Sequence, residues 1–277
     1  MAELTQVVKE EEPTVVIEHP AEGVAVVRIN RPQRLNALNS NAALGLRQAF
    51  DDLALDASVR VVILTGTGRG FCAGWDLTSG VHVEGGGAPG VADYYALQEM
   101  FEGMIRRVRA LDKVVIAAIN GVAVGAGFGL TLVSDIRVMA RSASLHVGAV
   151  RIGLTAGECG ISYHLPRLIG ASRAFEVMLT GRPIGAEEAE RIGLVASVVD
   201  DADVMPRALE LAALVTRNSP FATKHTKRLM WANLDAGSLD AALELENRAQ
   251  VLALMTQDFG EASKAFAEKR TPKFTGR

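Results

Sequence analysis

The chain has 277 residues, 49% of them hydrophobic, with a formal net charge of −3 and a pI near 6.0. This size and apolar content suffice for a large buried core, while the weak net charge excludes a general attraction to nucleic acid or anionic membranes. No uninterrupted apolar stretch is long enough to span a bilayer, and the acidic start MAELTQVVKEEEP lacks the apolar region of a signal peptide. We therefore expect a cytoplasmic protein. Cys72 and Cys159 have no Cys or His companion at metal-binding spacing, so we expect no metal site.

Hydrophobic patterning predicts alternating strands and helices up to about residue 200 and helices beyond it. Residues 1–13 are charged and lack apolar periodicity, which predicts a flexible tail. Ser40 is the predicted cap of a helix that runs to about Leu55. The predicted strands are Val15–Glu18, Val24–Asn30, Val59–Thr65, Val114–Ile119, Ile136–Met139, Ser144–Val147 and Val195–Val199. The other predicted helices are Val91–Leu111, Gly127–Val133, Ile161–Ile169, Ala171–Leu179, Ala186–Ile192, Ala202–Arg217, Pro220–Leu234, Leu239–Thr256 and Asp258–Lys269.

One glycine-rich stretch follows a predicted buried strand, and a second begins with one. Gly66–Leu77 reads GTGRGFCAGWDL, and residues 114–137 read VVIAAINGVAVGAGFGLTLVSDIR. Small residues let a ligand approach main-chain N–H groups where a helix begins, and the helix dipole favours negative charge there. A dinucleotide fingerprint is excluded because Leu130 stands where its third glycine would be needed. The pattern instead predicts an oxyanion site, with residues 78–90 as a mobile lid.

Several spaced motifs, in one order, together resemble the enoyl-CoA hydratase/isomerase family, also called the crotonase family. They are RPQRLNALNS, GRGFCAGWDL, INGVAVGAGFGLTLVSDIR, IGLTAGECGISYHLPRLIG, LTGRPIGAEEAERIGLV and FGEASKAFAEKR, and they extend over roughly residues 14–270. The resemblance implies an α/β fold with a crotonase-type spiral of ββα units in residues 14–200. It also implies a C-terminal helical trimerisation segment in residues 201–277, and hence a homotrimer or a hexamer.

The same resemblance implies the ligand and the residues that hold it. The substrate is an acyl-CoA or enoyl-CoA thioester, with coenzyme A as part of the substrate and no separate cofactor. The main-chain N–H groups of Ala73 and Ala126 are implied to hold the thioester oxygen. Contact with coenzyme A is implied for Arg34, Leu35, Ala37, Phe266 and Lys269.

Both glutamates that activate water in hydratases of the family are replaced in this sequence. Gly129 stands at the first position and Ala149 at the second, and neither side chain can exchange a proton. Glu158 is the candidate substitute, in apolar surroundings that favour its neutral form. A structural alternative is that Glu158 caps the helix that follows it.

These residues lead to one main hypothesis and two alternatives. The main hypothesis is an acyl-CoA-binding enzyme with isomerase-like chemistry, in which Glu158 transfers the proton. The first alternative is an enoyl-CoA hydratase or an acyl-CoA thioester hydrolase with an unusual acid or base. The second is a CoA-thioester binding subunit without catalysis.

Overall fold

The structure, a computed structural model, describes residues 13–81, 83 and 85–277. The predicted tail, apart from Pro13, and two residues of the predicted lid, His82 and Glu84, lie outside the described residues. The strands are β1 Val15–Ala21, β2 Val24–Ile29, β3 Val61–Gly66, β4 Gly70–Cys72, β5 Val114–Ile119, β6 Val122–Val124, β7 Ile136–Ala140, β8 Ser144–His146, β9 Ile184–Gly185 and β10 Ser197–Val199. The α-helices are α1 Ser40–Leu55, α2 Val91–Ala110, α3 Ala126–Val133, α4 Ile161–Ile169, α5 Ala171–Thr180, α6 Ala186–Arg191, α7 Val204–Thr216, α8 Pro220–Asn233, α9 Leu239–Leu254 and α10 Gln257–Ala267.

The strands form two sheets, which confirms the predicted α/β class. The larger sheet has the order β1-β2-β3-β5-β7-β10, parallel except for the edge strand β1, which is antiparallel to β2. The smaller sheet has the order β4-β6-β8-β9, with β9 antiparallel to β8. Every residue of β3 is buried, as its uninterrupted apolar sequence predicts for a strand covered on both faces.

The start of α1 differs from the prediction by one residue. Asn39, not Ser40, is the N-cap, and its side chain accepts a hydrogen bond from Ala42 N–H at 2.9 Å. Both residue types cap helices, so composition alone could not separate two adjacent candidates.

The helices beyond residue 200 differ in how deeply they are buried. The first of them, α7, packs on the larger sheet and buries Val204, Ala208 and Ala212, so the core continues past the predicted boundary at residues 200 and 201. In contrast, α9 has no buried residue along its whole length. In the described part of the chain, no helix is long and apolar enough to cross a membrane.

Candidate functional site

The segment 31–38 forms a rigid platform beside the glycine-rich loop that follows β3. The Asn36 side chain is fully buried and accepts a hydrogen bond from Arg31 N–H at 2.9 Å. Its amide group donates to Thr67 O at 2.9 Å and to Gly70 O at 2.7 Å. Asn36 has a φ of 58°, and Leu35, just before it, one of 50°. Asparagine tolerates this left-handed conformation better than most residues, and its side chain here replaces missing main-chain partners.

A buried ion pair fixes the other side of the platform. The Arg31 guanidinium lies 3.0 Å from the Asp76 carboxylate, with both side chains less than a tenth exposed, and it also donates to Ala37 O. Burial alone would raise the pKa of Asp76, but hydrogen bonds from Thr78 and Arg31 outweigh it and hold the pKa below its usual value. Asp76 is therefore ionised at neutral pH, and the pair joins segment 31–38 to segment 73–78.

The predicted CoA residues lie on two segments of this chain that are distant in sequence. Arg34 is exposed, Leu35 is half-buried and Ala37 is buried, all on the platform. Phe266 is 88% exposed at the end of α10, and Lys269 is also exposed. Within the described residues, no hydrogen bond or ion pair joins Phe266 or Lys269 to the platform. Polar contacts of the described residues therefore do not join the two groups of predicted residues.

The glycines of the second motif allow two main chains to touch. At Gly127, a Cβ atom would lie 2.1 Å from Cys72 O, and at Gly74 one would lie 2.8 Å from Val124 O and 3.9 Å from Ala126 N. Real Cβ atoms do not approach so closely, so only glycine fits at either position. As a result, the segment after β4 lies directly against the N-terminus of α3, whose eight residues are all buried.

The structure contradicts Ala73 as a donor to the ligand. Ala73 N–H already donates to Leu35 O at 3.0 Å, where it helps to hold the platform. The predicted N–H group is therefore engaged within the chain. Sequence offers no signal for this, because the direction of an N–H group depends on strand pairing.

The next outward-facing N–H group is that of Trp75. Gly74 O accepts from Leu38 N–H at 2.7 Å, and Asp76 N–H donates to Leu38 O at 2.9 Å. In this parallel bridge the Trp75 N–H points to the side opposite Leu38. Neither Trp75 N–H nor Ala126 N–H has an acceptor in the part of the chain that the structure describes. The two groups are therefore free donors where the loop meets the helix.

Glu158 brings a carboxylate to the same place. Its Oε1 atom lies 2.9 Å from the point where a Cβ atom of Gly125 would be, and Gly125 directly precedes α3. Among the described residues, no hydrogen bond or ion pair involves the Glu158 side chain, and burial raises its pKa. The alternative that Glu158 caps α4 is wrong. The N-cap is Gly160, and Ile161 N–H is bonded to the main-chain oxygen of Glu158, at 2.8 Å, instead of to its carboxylate.

The turn next to Glu158 occupies the space beside Gly129. A Cβ atom at Gly129 would lie 2.6 Å from Cys159 O and 2.7 Å from Cys159 Cβ. A glutamate at position 129 would therefore collide with the main chain of this turn. Ala149 is buried at the start of a short 3₁₀ helix, Gly148–Ile152. Glu158 is thus the carboxylate that the structure places against the start of α3.

Both thiols near the site are protonated at neutral pH. Burial raises the pKa of Cys72 to about 12, and burial together with the nearby Glu158 raises that of Cys159 to about 12. A thiol that is not ionised is a poor nucleophile, so the two cysteines act as small packing residues. The described residues also contain no cluster of three or more His, Cys, Asp or Glu side chains that could hold a metal ion.

Sequence reasoning missed the polar residues that build the platform. Arg31, Asn36, Asp76 and Asn120 lie within the motifs that carry the resemblance, but their partners are distant in sequence. Asn120, for example, donates to Gly66 O at 2.9 Å and to Gly68 O at 2.8 Å. The available signal was that these residues are polar although the motifs around them are mostly apolar or rich in glycine.

Comparison with known proteins gives one consistent family. The family model described as enoyl-CoA hydratase/isomerase matches residues 19–277. A probable enoyl-CoA hydratase of Mycobacterium tuberculosis is 44% identical over 268 residues, covering 94% of this chain and 92% of the relative. The 1,2-epoxyphenylacetyl-CoA isomerase of Escherichia coli is 36% identical over 262 residues, covering 95% and 98%.

Solved structures agree with the sequence matches. The crystal structure of a probable enoyl-CoA hydratase/isomerase from Mycobacterium abscessus has a TM-score of 0.88 at 37% identity, covering 95% of this chain and 99% of that one. A monofunctional enoyl CoA isomerase from Mycobacterium smegmatis has a TM-score of 0.72 at 40% identity, covering 84% and 99%. Together with the shared fold, these matches show that the chain belongs to the enoyl-CoA hydratase/isomerase, or crotonase, family of acyl-CoA-binding enzymes.

Proposed function

We propose that this protein is an enoyl-CoA isomerase that moves a proton along the acyl chain with Glu158. The observation that carries the proposal is the position of the Glu158 carboxylate, unpaired and shielded, against Gly125 at the start of α3. In this proposal the thioester oxygen accepts hydrogen bonds from Trp75 N–H and Ala126 N–H. Donors aimed at the position where negative charge develops lower the barrier most effectively in a site that excludes water.

The proposed reaction conserves every atom of the substrate. The Glu158 carboxylate removes a proton from the α-carbon of a 3-enoyl thioester, and the electron pair of the broken C–H bond moves towards the thioester oxygen. The resulting dienolate carries its charge at the two N–H donors. Protonated Glu158 then returns the proton to the γ-carbon, so the double bond moves from the β,γ to the α,β position and the carboxylate is regenerated.

A single carboxylate fits isomerisation better than hydration. Hydration adds a water molecule across the double bond, so the water must be held and deprotonated while the α-carbon is protonated. The positions that the resemblance assigns to that work hold Gly129 and Ala149, and the space beside Gly129 is filled by Cys159. Isomerisation needs only one group, which takes up the proton and gives it back. Two of the similar proteins, from E. coli and M. smegmatis, are named isomerases.

Coenzyme A is proposed to bind across the platform, with Arg34 beside the phosphate groups and Leu35 and Ala37 beside the pantetheine. An exposed arginine can reach phosphate oxygens with several N–H donors. Phe266 and Lys269 lie exposed at the end of α10, and their proposed contact with coenzyme A is to the site of a neighbouring copy in a trimer. The exposed apolar residues of α9 support such an assembly.

Glu158→Gln tests the proposal directly. The amide keeps the shape of the side chain but cannot accept the proton, so we expect the conversion of 3-enoyl-CoA to 2-enoyl-CoA to fall by about a hundredfold or more. Calorimetric binding of coenzyme A should stay unchanged. Glu187→Gln, at an exposed position of α6, is the matched control and should keep full activity.

The pH dependence and the products complete this test. Glu158 acts as a base only when ionised, and its raised pKa should place the acid limb of kcat/KM at a higher pH than that of an ordinary glutamate, whose pKa is about 4.3. Free thiol assays should detect no coenzyme A released during turnover. Full activity of the Glu158→Gln protein, or release of coenzyme A at the rate of conversion, would contradict the proposal.

A further inference from the structure

The orientation of Glu158 depends on the turn that joins it to α4. Cys159 and Gly160 follow it with φ angles of 48° and 78°, both in the left-handed region. The turn is closed by the bond from Ile161 N–H to Glu158 O at 2.8 Å and by one from His164 N–H to Gly160 O at 2.9 Å. A cysteine is uncommon in this conformation, so the turn needs support from its surroundings.

His164 provides packing directly behind this turn. Its ring atom Cδ2 lies 3.3 Å from the point where a Cβ atom of Gly160 would be, so the imidazole packs against the Gly160 main chain. The ring is buried on the inner face of α4. It meets Trp231 edge to face, with centroids 5.5 Å apart, and Tyr163 in the same way at 4.9 Å. Such aromatic pairs restrict ring orientation as well as position.

Trp231 is in turn fixed to the larger sheet. Its indole N–H donates to Asp135 Oδ1 at 2.6 Å, and the Arg109 guanidinium lies 3.7 Å above its ring. The other oxygen of Asp135 accepts from Val115 N–H at 2.7 Å and pairs with Lys227 at 2.8 Å. A continuous set of contacts therefore runs from the start of β5 through Trp231 and His164 to the turn that carries Glu158.

The His164 ring is neutral at physiological pH. Burial is the main cause that lowers its pKa to about 4; the positive charges of Arg109, Arg167 and Arg137 act in the same direction, and Asp235 opposes them. No hydrogen bond of the His164 ring to a described residue accompanies this burial. Proton exchange is therefore not its role near pH 7, and we assign the ring a packing role.

We propose that His164 is a positioning residue for catalysis: its ring, wedged between Trp231 and Gly160, holds the turn that aims the Glu158 carboxylate at the substrate. This inference rests on the proposed role of Glu158. A shift of about 1 Å in a reacting group can cost about a hundredfold in rate, so loss of this support should reduce kcat. The platform and the two N–H donors lie on other segments, so KM should change little.

His164→Ala and His164→Phe, each in the full-length protein, test the inference. The alanine variant should lower kcat by about tenfold to a hundredfold with KM nearly unchanged. Its loosened turn should let water reach Glu158, so the acid limb of the kcat profile should move to lower pH. The phenylalanine variant keeps a neutral ring against Trp231 and should restore most of kcat and the original pH profile. His225→Ala, which removes a half-exposed histidine stacked on Phe221 in α8, is the matched control and should leave both unchanged.

The outcomes separate this inference from the proposed function. A purely structural role would lower the melting temperature of His164→Ala without moving the pH profile, and that result would overturn the inference. A phenylalanine variant with a kcat as low as that of the alanine variant would also overturn the inference. If the alanine variant does not fold, the phenylalanine variant alone decides, through its kcat and its acid limb. If Glu158→Gln is inactive while both His164 variants match the original protein, only the positioning role fails. If Glu158→Gln is fully active, the proposed function itself fails.

Discussion

At the scale of single residues, the missing side chains of this site are as informative as those present. Gly125 leaves room for the Glu158 carboxylate, and Gly129 leaves room for the turn at Cys159. A glutamate side chain at position 129 and the present turn exclude each other sterically. The residue type at position 129 and the path of the main chain at Cys159 therefore depend on each other.

Gly129→Ala should lower stability even though alanine is the better helix former. The added Cβ atom would lie 2.7 Å from Cys159 Cβ in a fully buried helix, so we expect a loss of about 1–3 kcal/mol in the free energy of unfolding. Gly260→Ala is the matched control, since it lies inside α10 with nothing within 4 Å of the new atom. It should gain up to about 1 kcal/mol. Urea unfolding of both variants measures the difference, and an equal gain at both positions would contradict the packing at Gly129.

At the scale of elements, the site is the junction of the platform, the loop after β4, the start of α3 and the turn before α4. The loop and platform are joined by long-range polar contacts, of which the Arg31–Asp76 pair is the most deeply buried of the ion pairs in the described residues. Removing one partner of such a pair takes away the opposite charge that stabilises the other in a buried place.

Asp76→Asn should therefore lower the free energy of unfolding by about 3–5 kcal/mol. The Arg31 charge would remain in a region where its side chain is 8% exposed. Asp200→Asn is the control, because it breaks an ion pair with Arg141 whose side chains are 73% and 69% exposed. That change should cost less than about 1 kcal/mol. Denaturant titration measures the free energy of unfolding of both variants. A loss for Asp76→Asn as small as that for Asp200→Asn would contradict a stabilising role of the Arg31–Asp76 pair.

The elements themselves were largely predictable from the sequence, and their junctions were not. Apolar periodicity predicted Ile161–Ile169 with the same bounds that the structure shows for α4, because a single amphipathic helix leaves a local pattern. The two-residue strand β9 was missed because it is too short to leave one. The wrong prediction of Ala73 as a donor and the missed contacts of Asn36 have the same cause. Both depend on which segments lie side by side, and a single sequence carries no local record of that.

At the scale of the whole molecule, the exposed apolar surface is concentrated in the C-terminal helices. The helix α9 buries none of its residues, although it carries several large apolar side chains. These are Leu239, Leu243, Leu245, Val251, Leu252 and Leu254, each more than two-fifths exposed. An exposed apolar surface of this kind is typical of an interface. The proposed trimer would cover it with neighbouring copies.

Leu252→Glu should weaken this assembly without unfolding the core. Leu252 is 54% exposed on α9, so a charge there costs little in one copy but would be buried in an interface. Sedimentation velocity should show smaller species than those of the original protein at the same concentration. Gln250→Glu, also exposed on α9, adds the same charge without removing an apolar side chain and is the comparison. An unchanged sedimentation coefficient for Leu252→Glu would exclude this part of α9 from the interface.

The complete burial of α3 also determines how salt acts on the site. Dissolved ions screen charges that they can surround, and at physiological ionic strength this screening acts over about 8 Å of solvent. The partial positive charge at the start of α3 is enclosed by protein, whereas Arg34 on the platform is open to water. Added salt therefore reaches the proposed phosphate contact and leaves the field at the reacting carbonyl almost unscreened. In the proposed complex, the contact at one end of the ligand would therefore weaken with added salt, and the contact at the other end would not.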